Sequence, residues 1–313
     1  MFGLASSAGV FGAVADMLVD IYREHGISWV IKWVDDFFVI RPPHQCFSEA
    51  DFIAITAQLG VPWSLEKTRL FATMQRYIGF LWDLEHKTVA IPPEKVAAML
   101  ALLSHWSGSG FKALASEAAS LHGKLVHLAT IFRLLRPFTR SVALFAAGFR
   151  SHRARLHPPK DVLADIKWIT WMLPILPNQL PLSSPSPVDL GWWGDASSSF
   201  GIGVVIGSFW AVWAWAPGFR VGPHCHGYDI GWAETVAVEL ALRIAIDHGL
   251  IEMRPSNSSR ILVRSDNSGV VSIINHGRAR SRTSNIVLRE IYQLLAAEQI
   301  SLAAEYVPSR LNI

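Results

Sequence analysis

The chain contains two spacings of apolar residues, one typical of helices and one typical of strands. In the middle of the chain, apolar side chains recur every three or four positions, at Leu121, Leu125, Leu128, Phe132 and Leu135. This spacing predicts a helix that turns one apolar face toward a core. Pro137 has no backbone N–H group, so we expect the helix to end or bend near it.

Two other regions contain short apolar runs that favour strands. Residues 29–34 and 37–40 are rich in β-branched and aromatic side chains, which suit a pleated sheet. Residues 196–219 contain the runs GIGVVIG and FWAVWAW. The whole stretch is long enough to cross a membrane, but glycines and Pro217 divide it. We therefore predict two paired strands there rather than one membrane helix.

Composition excludes an intrinsically disordered chain. Of the 313 residues, 51% are hydrophobic and only 17% are charged, so the chain can bury a large core, and its length suits two ordinary domains or one large one. Its two cysteines, Cys46 and Cys225, indicate a reducing compartment. The first basic residue is Arg23, so the positive region of a secretory signal is missing. We expect an intracellular protein, in the cytoplasm or the nucleus.

Basic residues are concentrated between residues 112 and 167. The formal net charge of the chain is only +3, but this segment carries ten Lys and Arg residues against three acids. A basic helical surface offers contacts to phosphates, which predicts nucleic-acid binding. The alternative is a solvated face that binds nothing. The residues expected to contact nucleic acid are Lys112, Lys124, Arg133, Arg136 and Arg140.

A pair of acids, Asp35 and Asp36, separates the apolar runs at residues 29–34 and 37–40. Two short strands joined by two acids predict a hairpin with both carboxylates at its tip. Adjacent carboxylates repel each other, and a divalent ion such as Mg²⁺ or Mn²⁺ relieves that repulsion. The pair is then a metal site for phosphoryl transfer, and the alternative is an ordinary turn.

A second set of acids comes from three separate elements in the last third of the chain. Asp195 ends a short strand, Glu234 lies near the start of a helix, and Asp266 follows another apolar strand. Ala237 and Ala241 share a helical face with Glu234, which allows close packing beneath it. Three acids on three elements can converge on divalent ions, although each one alone is typical of a surface residue.

Four motifs in the first part of the chain resemble, in order and spacing, the palm of a reverse transcriptase. FGLASSAGVFGAVADML resembles its small-residue segment and the helix that follows, WVDD its aromatic-x-Asp-Asp motif, SLEKTR its lysine motif and YIGFLWDL its primer-grip hairpin. The resemblance implies that Asp35 and Asp36 bind catalytic metal ions and that Lys67 takes part in catalysis. Trp33 stands where these enzymes carry Tyr or Phe. Further along, HLATIFRLLRPFTR resembles the thumb and connection of retrotransposons of the tyrosine-recombinase, DIRS-like class.

The last part of the chain resembles ribonuclease H. The matching motifs are DAS with Asp195, ExxAxxxAL with Glu234 and SDN with Asp266. The resemblance implies that these three acids are catalytic and bind metal ions. Glu239 is a competing choice for the helix acid, but it lies about 140° around the helix from Glu234. The final EYVPSRLNI resembles the segment before a fourth catalytic acid.

Together the resemblances predict a multi-domain chain of α+β and α/β class. We expect a partial reverse-transcriptase palm over residues 1–90, a helical thumb or connection over 91–172, a proline-rich linker over 173–187 and a ribonuclease H-like domain of mixed sheet and helices over 188–313. The implied cofactor is Mg²⁺ or Mn²⁺. The implied partners are an RNA–DNA hybrid or a primer–template duplex, with dNTP as the small-molecule substrate and no membrane.

Each implied active site lacks one acid within the 313 residues, as if the chain were truncated at both ends. The palm of the family has a third Asp on a strand before the small-residue segment, and its ribonuclease H domain has a fourth acid after the Val-Pro-Ser segment. The family's activities are RNA-directed DNA polymerase and ribonuclease H. We expect no DNA synthesis and weak or no RNA hydrolysis by this chain. The alternative is a non-catalytic, nucleic-acid-binding remnant of a retrotransposon.

Overall fold

The computed structural model describes residues 6–225, 227–251 and 260–311. The chain divides into two compact units, the first formed by Met1–Pro92 with Leu180–Leu182 and the second by Pro93–Gln179 with Ser183–Ile313. Both units contain helices and sheets, so the expected α+β class is confirmed. The first residues of the small-residue segment, 2–5, and the last two residues of EYVPSRLNI lie outside the described residues.

Helices and two small sheets form the first unit. Its elements are α1 (Ser7–Glu24), β1 (Val30–Trp33), β2 (Asp36–Val39), α2 (Glu49–Ala57), β3 (Met74–Tyr77), β4 (Phe80–Asp83), β5 (Thr88–Ala90) and β6 (Gln179–Pro181). Strands β1 and β2 form an antiparallel hairpin, and the other four form a sheet in the order β3-β4-β5-β6. The YIGFLWDL motif supplies the last residue of β3, the turn and the whole of β4 in the β3–β4 hairpin.

The β1–β2 hairpin is attached to a small apolar core. Val30 of β1 is buried in one cluster with Tyr22 of α1, and the ring of Tyr22 stacks on Phe52 of α2 at 3.8 Å. Lys32 ties the hairpin to α1, because its Nζ atom lies 3.1 Å from the carboxylate of Asp16. These contacts hold the hairpin by its base and leave its tip in solvent.

The turn of this hairpin places both acids at the tip, as predicted. Trp33 pairs with Asp36, which leaves Val34 and Asp35 as the two turn residues. Val34 has a φ angle of +55°, a left-handed conformation that is costly for a β-branched side chain. Both carboxylates are exposed, so the strand pairing on either side keeps the turn in this conformation.

Helices make up the first part of the second unit. They are α3 (Pro93–Trp106), α4 (Ala115–Leu128), a 3₁₀ helix (Arg133–Thr139), α5 (Arg140–Ala147) and α6 (Lys160–Met172). All five residues of the predicted apolar stripe are buried. The stripe is not one continuous helix, however, because α4 ends at Leu128 and the 3₁₀ helix contains Pro137. Pro137 has no backbone N–H to donate, so it cannot continue an α-helix, and a short 3₁₀ helix accommodates it.

A five-stranded sheet with further helices forms the second part of this unit. Its elements are β7 (Val188–Ala196), β8 (Gly201–Ile206), β9 (Phe209–Ala214), α7 (Ile230–Asp247), β10 (Arg260–Ser265), α8 (Ser268–His276), α9 (Arg282–Ala297) and β11 (Ser301–Tyr306). The strand order is β11-β10-β7-β8-β9. Strands β7, β8 and β9 are antiparallel neighbours, whereas β10 runs parallel to both β7 and β11.

The predicted strand pair in residues 196–219 is confirmed as β8 and β9. Alternate residues of β7 and β8, among them Trp192, Ile202 and Val204, are buried on the face against which α7 packs. We call the opposite face of β7, β8 and β9 the open face. In the described part of the chain, no helix combines the length and apolarity needed to cross a membrane.

A buried ion pair joins the helical part of the second unit to the sheet part. Asp165 of α6, whose side chain is 2% exposed, pairs with Arg289 of α9. The guanidinium of Arg289 also lies 5.1 Å from the ring centre of Phe138, which stacks on Trp168 at 3.6 Å. Burial raises the pKa of Asp165 to about 6, although Arg289 acts to lower it. The carboxylate therefore carries its charge at neutral pH and depends on its partner.

We expect Arg289→Met to destabilise the second unit by about 3–5 kcal/mol, because it leaves the carboxylate of Asp165 buried without an opposite charge. The double variant Asp165→Leu/Arg289→Met should recover most of that loss, since no buried charge remains. Urea unfolding followed by circular dichroism measures the free energies of unfolding. If the single and double variants were equally destabilised, the two side chains would not be energetically coupled.

Candidate metal centre

Asp195, Glu234 and Asp266 come together at one end of the five-stranded sheet. Asp195 is the penultimate residue of β7, and Asp266 directly follows β10. These two strands are parallel neighbours, so their carboxyl ends meet at the same edge. Glu234 lies near the start of α7. One oxygen atom from each of the three carboxylates lies within 4.8 Å of the other two.

The three carboxylates fit a divalent cation. Hard ions such as Mg²⁺ prefer carboxylate oxygens and bind them at about 2.0–2.1 Å, so two ligands on opposite sides of one ion are about 4.2 Å apart. All three oxygens lie within 4.8 Å of one another, so they can converge on one ion. Across the described residues, no other group of three or more His, Cys, Asp or Glu side chains meets the same distance requirement.

Small residues let α7 approach β7 closely enough to deliver Glu234. A Cβ atom added at Gly194 would lie 3.6 Å from the Cβ of Ala237, which is an ordinary contact, so a side chain larger than alanine at either position would push the helix away. Ala237 and Ala241 are buried, as their spacing predicted. Asp229 fixes the start of the helix by accepting a backbone hydrogen bond of 2.8 Å from its first turn, which is ordinary N-capping.

A bulge and an ion pair set the register between β7 and β10. The pairing of the two strands shifts within this ladder, and Gly191 accommodates the shift with a φ angle of +68°, which glycine adopts without strain. Arg264 of β10 binds the carboxylate of Asp189 on β7 through both of its terminal nitrogens. That contact lowers the pKa of Asp189 to about 2. The ends of the two strands, with Asp195 and Asp266, are thereby held together.

Glu234 is the acid most affected by the site. It is 4% exposed, and its Oε1 atom accepts a hydrogen bond of 3.1 Å from the backbone N–H of Ala196. Burial raises the pKa of Glu234 to about 8, and the neighbouring acids Asp195 and Asp266 add to the effect, whereas the Ala196 N–H opposes it. A cation among the three carboxylates would replace this repulsion with attraction.

The other predicted site residues lie elsewhere. Glu239, the competing helix acid, pairs with Arg243 at 2.7 Å and does not belong to the acid group. Asp35 and Asp36 lie at the hairpin tip of the first unit, and Lys67 is exposed in a turn after α2. Within the residues that the structure describes, no third His, Cys, Asp or Glu completes a metal-binding group at Asp35 and Asp36.

Two of the five residues predicted to contact nucleic acid bind backbone carbonyls of the second unit. Arg136 donates to the carbonyl of His276 at 3.3 Å, and Arg140 donates to those of Ala279 and Arg280 at 2.5 and 2.9 Å. These carbonyls lie at or just after the end of α8, where a helix leaves C=O groups without intrahelical partners. The remaining, exposed members of the set are Lys112, Lys124 and Arg133.

Sequence reasoning missed the residues that position the acids. Asp189 and Arg264 are 75 positions apart, and a surface ion pair over such a distance leaves no periodic signal. The glycine at 191 was the available signal, because a glycine inside a strand often marks a bulge. The acids themselves were found because each lies at the end of a strand or near the start of a helix.

We expect Mg²⁺ or Mn²⁺ to stabilise the protein more at about pH 8.5 than at about pH 6. Without a metal, Glu234 keeps its proton up to about pH 8 when folded, against a reference pKa of 4.5. The folded state therefore binds more protons, and the free energy of unfolding falls as the pH rises through this window. A cation binds the charged form of the Glu234 carboxylate, so the stabilisation by metal increases as Glu234 loses its proton. Thermal unfolding at several pH values, with and without metal, measures the effect.

Glu234→Gln should remove most of this pH dependence and most of the stabilisation by metal, because an amide does not titrate and is a poorer ligand for a hard cation. Glu239→Gln is the matched control, since Glu239 lies on the same helix but pairs with Arg243. If metal still stabilised Glu234→Gln but no longer stabilised Glu239→Gln, the ion would not bind at the three-acid site.

Comparison with protein-family models and with curated proteins finds no match for this chain. The motif resemblances to reverse transcriptase and ribonuclease H therefore stay hypotheses. What the geometry shows is a group of three acids on one sheet edge that could hold a metal ion.

Proposed function

We propose that the second unit is a metal-dependent hydrolase of the ribonuclease H type, which cuts the RNA strand of an RNA–DNA hybrid. The convergence of Asp195, Glu234 and Asp266 is the observation that carries the proposal. The order of the elements supports it, because the DAS motif lies on the first strand of the sheet in chain order and the SDN motif follows the fourth. The resemblance places these motifs at the same two positions.

The three acids differ in what they contribute. Glu234 is buried and hydrogen-bonded to the backbone of β7, so it fixes the inner side of the centre. Asp195 is exposed, so a phosphate of the substrate strand can reach it. Asp266 is half-buried, so its exposure is intermediate between those of the other two acids. When bound, Mg²⁺ or Mn²⁺ stabilises negative charge on a phosphate oxygen and makes water a better nucleophile.

We also propose that the first unit derives from the palm of a retroelement reverse transcriptase. The support is the β1–β2 hairpin with Asp35 and Asp36 at its tip, followed by the β3–β4 hairpin of the YIGFLWDL motif. Nucleotidyl transfer to a primer from dNTP needs acids that together hold metal ions at the reacting phosphate. In the described residues the pair gains no third acid, so the hairpin is proposed as a palm without polymerase activity in this chain.

The 313-residue protein is expected to cut the RNA strand of a hybrid slowly in the presence of Mn²⁺ or Mg²⁺. Three carboxylates, each giving one oxygen, leave about half of the coordination positions of an octahedral ion to water, so the ion is held weakly. A single-turnover assay with excess protein and a labelled hybrid allows slow cleavage to accumulate. Asp195→Asn should reduce the rate to that measured without protein.

Asp247→Asn is the matched control for this assay, because Asp247 is an exposed acid at the end of α7 and should leave the rate unchanged. Binding of the hybrid without cleavage, with an affinity that falls steeply with salt, would favour the non-catalytic nucleic-acid-binding function instead. In that case Lys112, Lys124 and Arg133 are the residues to replace, and Asp195→Asn should not weaken binding.

Template-dependent primer extension is expected to be absent with either Mg²⁺ or Mn²⁺. The two hairpin carboxylates lack a third acid in the described part of the chain, and two-metal transfer needs more ligands than one such pair supplies. Extension of a labelled primer on an RNA template by the purified protein is the measurement. DNA synthesis that disappears in Asp35→Ala would contradict the prediction.

A further inference from the structure

A groove crosses the open face of the sheet and reaches the metal centre. Its volume is about 450 Å³, within the range of roughly 300–1,000 Å³ that is usual for small-ligand sites. Residues of β7, β8 and β9 line it, including Trp193, Asp195, Gly203 and Trp210. Because Asp195 is also one of the three acids of the metal centre, the groove and the centre share this side chain.

Gly203 leaves the floor of the groove open, and nothing in the fold requires a glycine there. It lies inside β8, opposite Asp195 on one side and Val212 on the other. A Cβ atom at Gly203 would meet no heavy atom within 4 Å, and its φ angle is not positive. At Gly201, in contrast, a Cβ atom would collide with the backbone of Trp213. A strand glycine that neither packing nor backbone demands often marks the close approach of a ligand.

Aromatic rings border this open floor and face solvent. Trp210 is 75% exposed and Phe200 is 60% exposed, and both line the groove. Trp193 also lines the groove, with the guanidinium of Arg264 at 4.9 Å from its ring. Exposed rings next to an uncovered surface are what nucleobases stack on. Among the described residues that line the groove, only Asp195 is charged, which suits a neutral base better than a second phosphate.

We propose that this groove binds an unpaired nucleobase that adjoins the phosphate held at the metal centre. The proposal rests on the proposed function, since the phosphate brings the strand to Asp195. Gly203 lies on the neighbouring strand directly opposite Asp195, about one strand spacing or 4.8 Å away, so the base lies over the glycine. Bases inside a duplex are paired and stacked, so only a base outside the duplex can enter. The preferred substrate therefore carries single-stranded nucleotides next to the hybrid.

The test measures the binding of two fluorescein-labelled probes by fluorescence anisotropy in Mn²⁺: a single strand of about eight adenosines and an abasic strand of the same length. A single strand is not the hybrid substrate, so binding is measured without cleavage. The protein should bind the adenosine strand at least about fivefold more tightly than the abasic strand, since stacking of one base on an aromatic ring has roughly that effect.

Two variants and two matched controls locate the effect. Gly203→Val should abolish the preference for the adenosine strand, because its side chain fills the floor, while the melting temperature stays the same or rises, since valine suits a strand. Trp210→Ala should weaken binding of the adenosine strand about fivefold or more. The controls are Trp171→Ala, which removes an exposed ring on α6, and Gly222→Ala, another glycine with open space around it. Both should bind as the unaltered protein does.

Equal binding of the two probes by the unaltered protein, or a full preference retained in Gly203→Val, would overturn the proposal. Cleavage of the hybrid without any base preference would support the proposed hydrolase and contradict only the proposed base binding in the groove. A base preference that depends on Gly203, in a protein that does not cleave the hybrid, would support base binding in the groove and contradict the proposed hydrolase. The two proposals can therefore fail separately.

Discussion

Three mutually repelling carboxylates held at one sheet edge are the constraint on which the second unit depends. Like charges at this distance oppose folding, and at neutral pH the proton on Glu234 relieves part of that repulsion. The rest of the site is arranged to keep the acids in place. Gly194 and Ala237 bring the helix close to the strand, and the pair of Asp189 with Arg264 holds the two acid-bearing strands in register. The packing of the rest of the unit offsets the unfavourable free energy of this repulsion.

The sequence could predict the parts of this site that depend on local patterns along the chain. Each acid stood at a strand end or a helix start, and these signals are local, so Asp195, Glu234 and Asp266 could all be found. Their mutual distance depends on which strands are neighbours, and the strand order β11-β10-β7-β8-β9 is not written in any local pattern. The acid hairpin of the first unit was predictable for the same reason, because its two strands are adjacent in sequence.

Charge proved less informative than hydrophobic spacing. The count of Lys and Arg residues between residues 112 and 167 predicted a basic surface, but it could not tell whether a side chain faces water or a protein carbonyl. Arg136 and Arg140 face carbonyls, and Arg289, outside that segment, pairs with Asp165 across 124 positions. The helical part and the sheet part of the second unit are thus joined by polar contacts of high sequence separation. Apolar periodicity, in contrast, correctly identified all five buried residues of the stripe.

The outer strand β9 has a consequence for handling the protein. Its six residues, FWAVWA, contain neither a charge nor a proline, and no strand of the described residues pairs with its outer side. Natural sheets usually protect such an edge with lysine, proline or a bulge, since unpaired N–H and C=O groups recruit a second strand. We expect this edge to promote association of the protein in concentrated solution, and a lysine in this strand to oppose it.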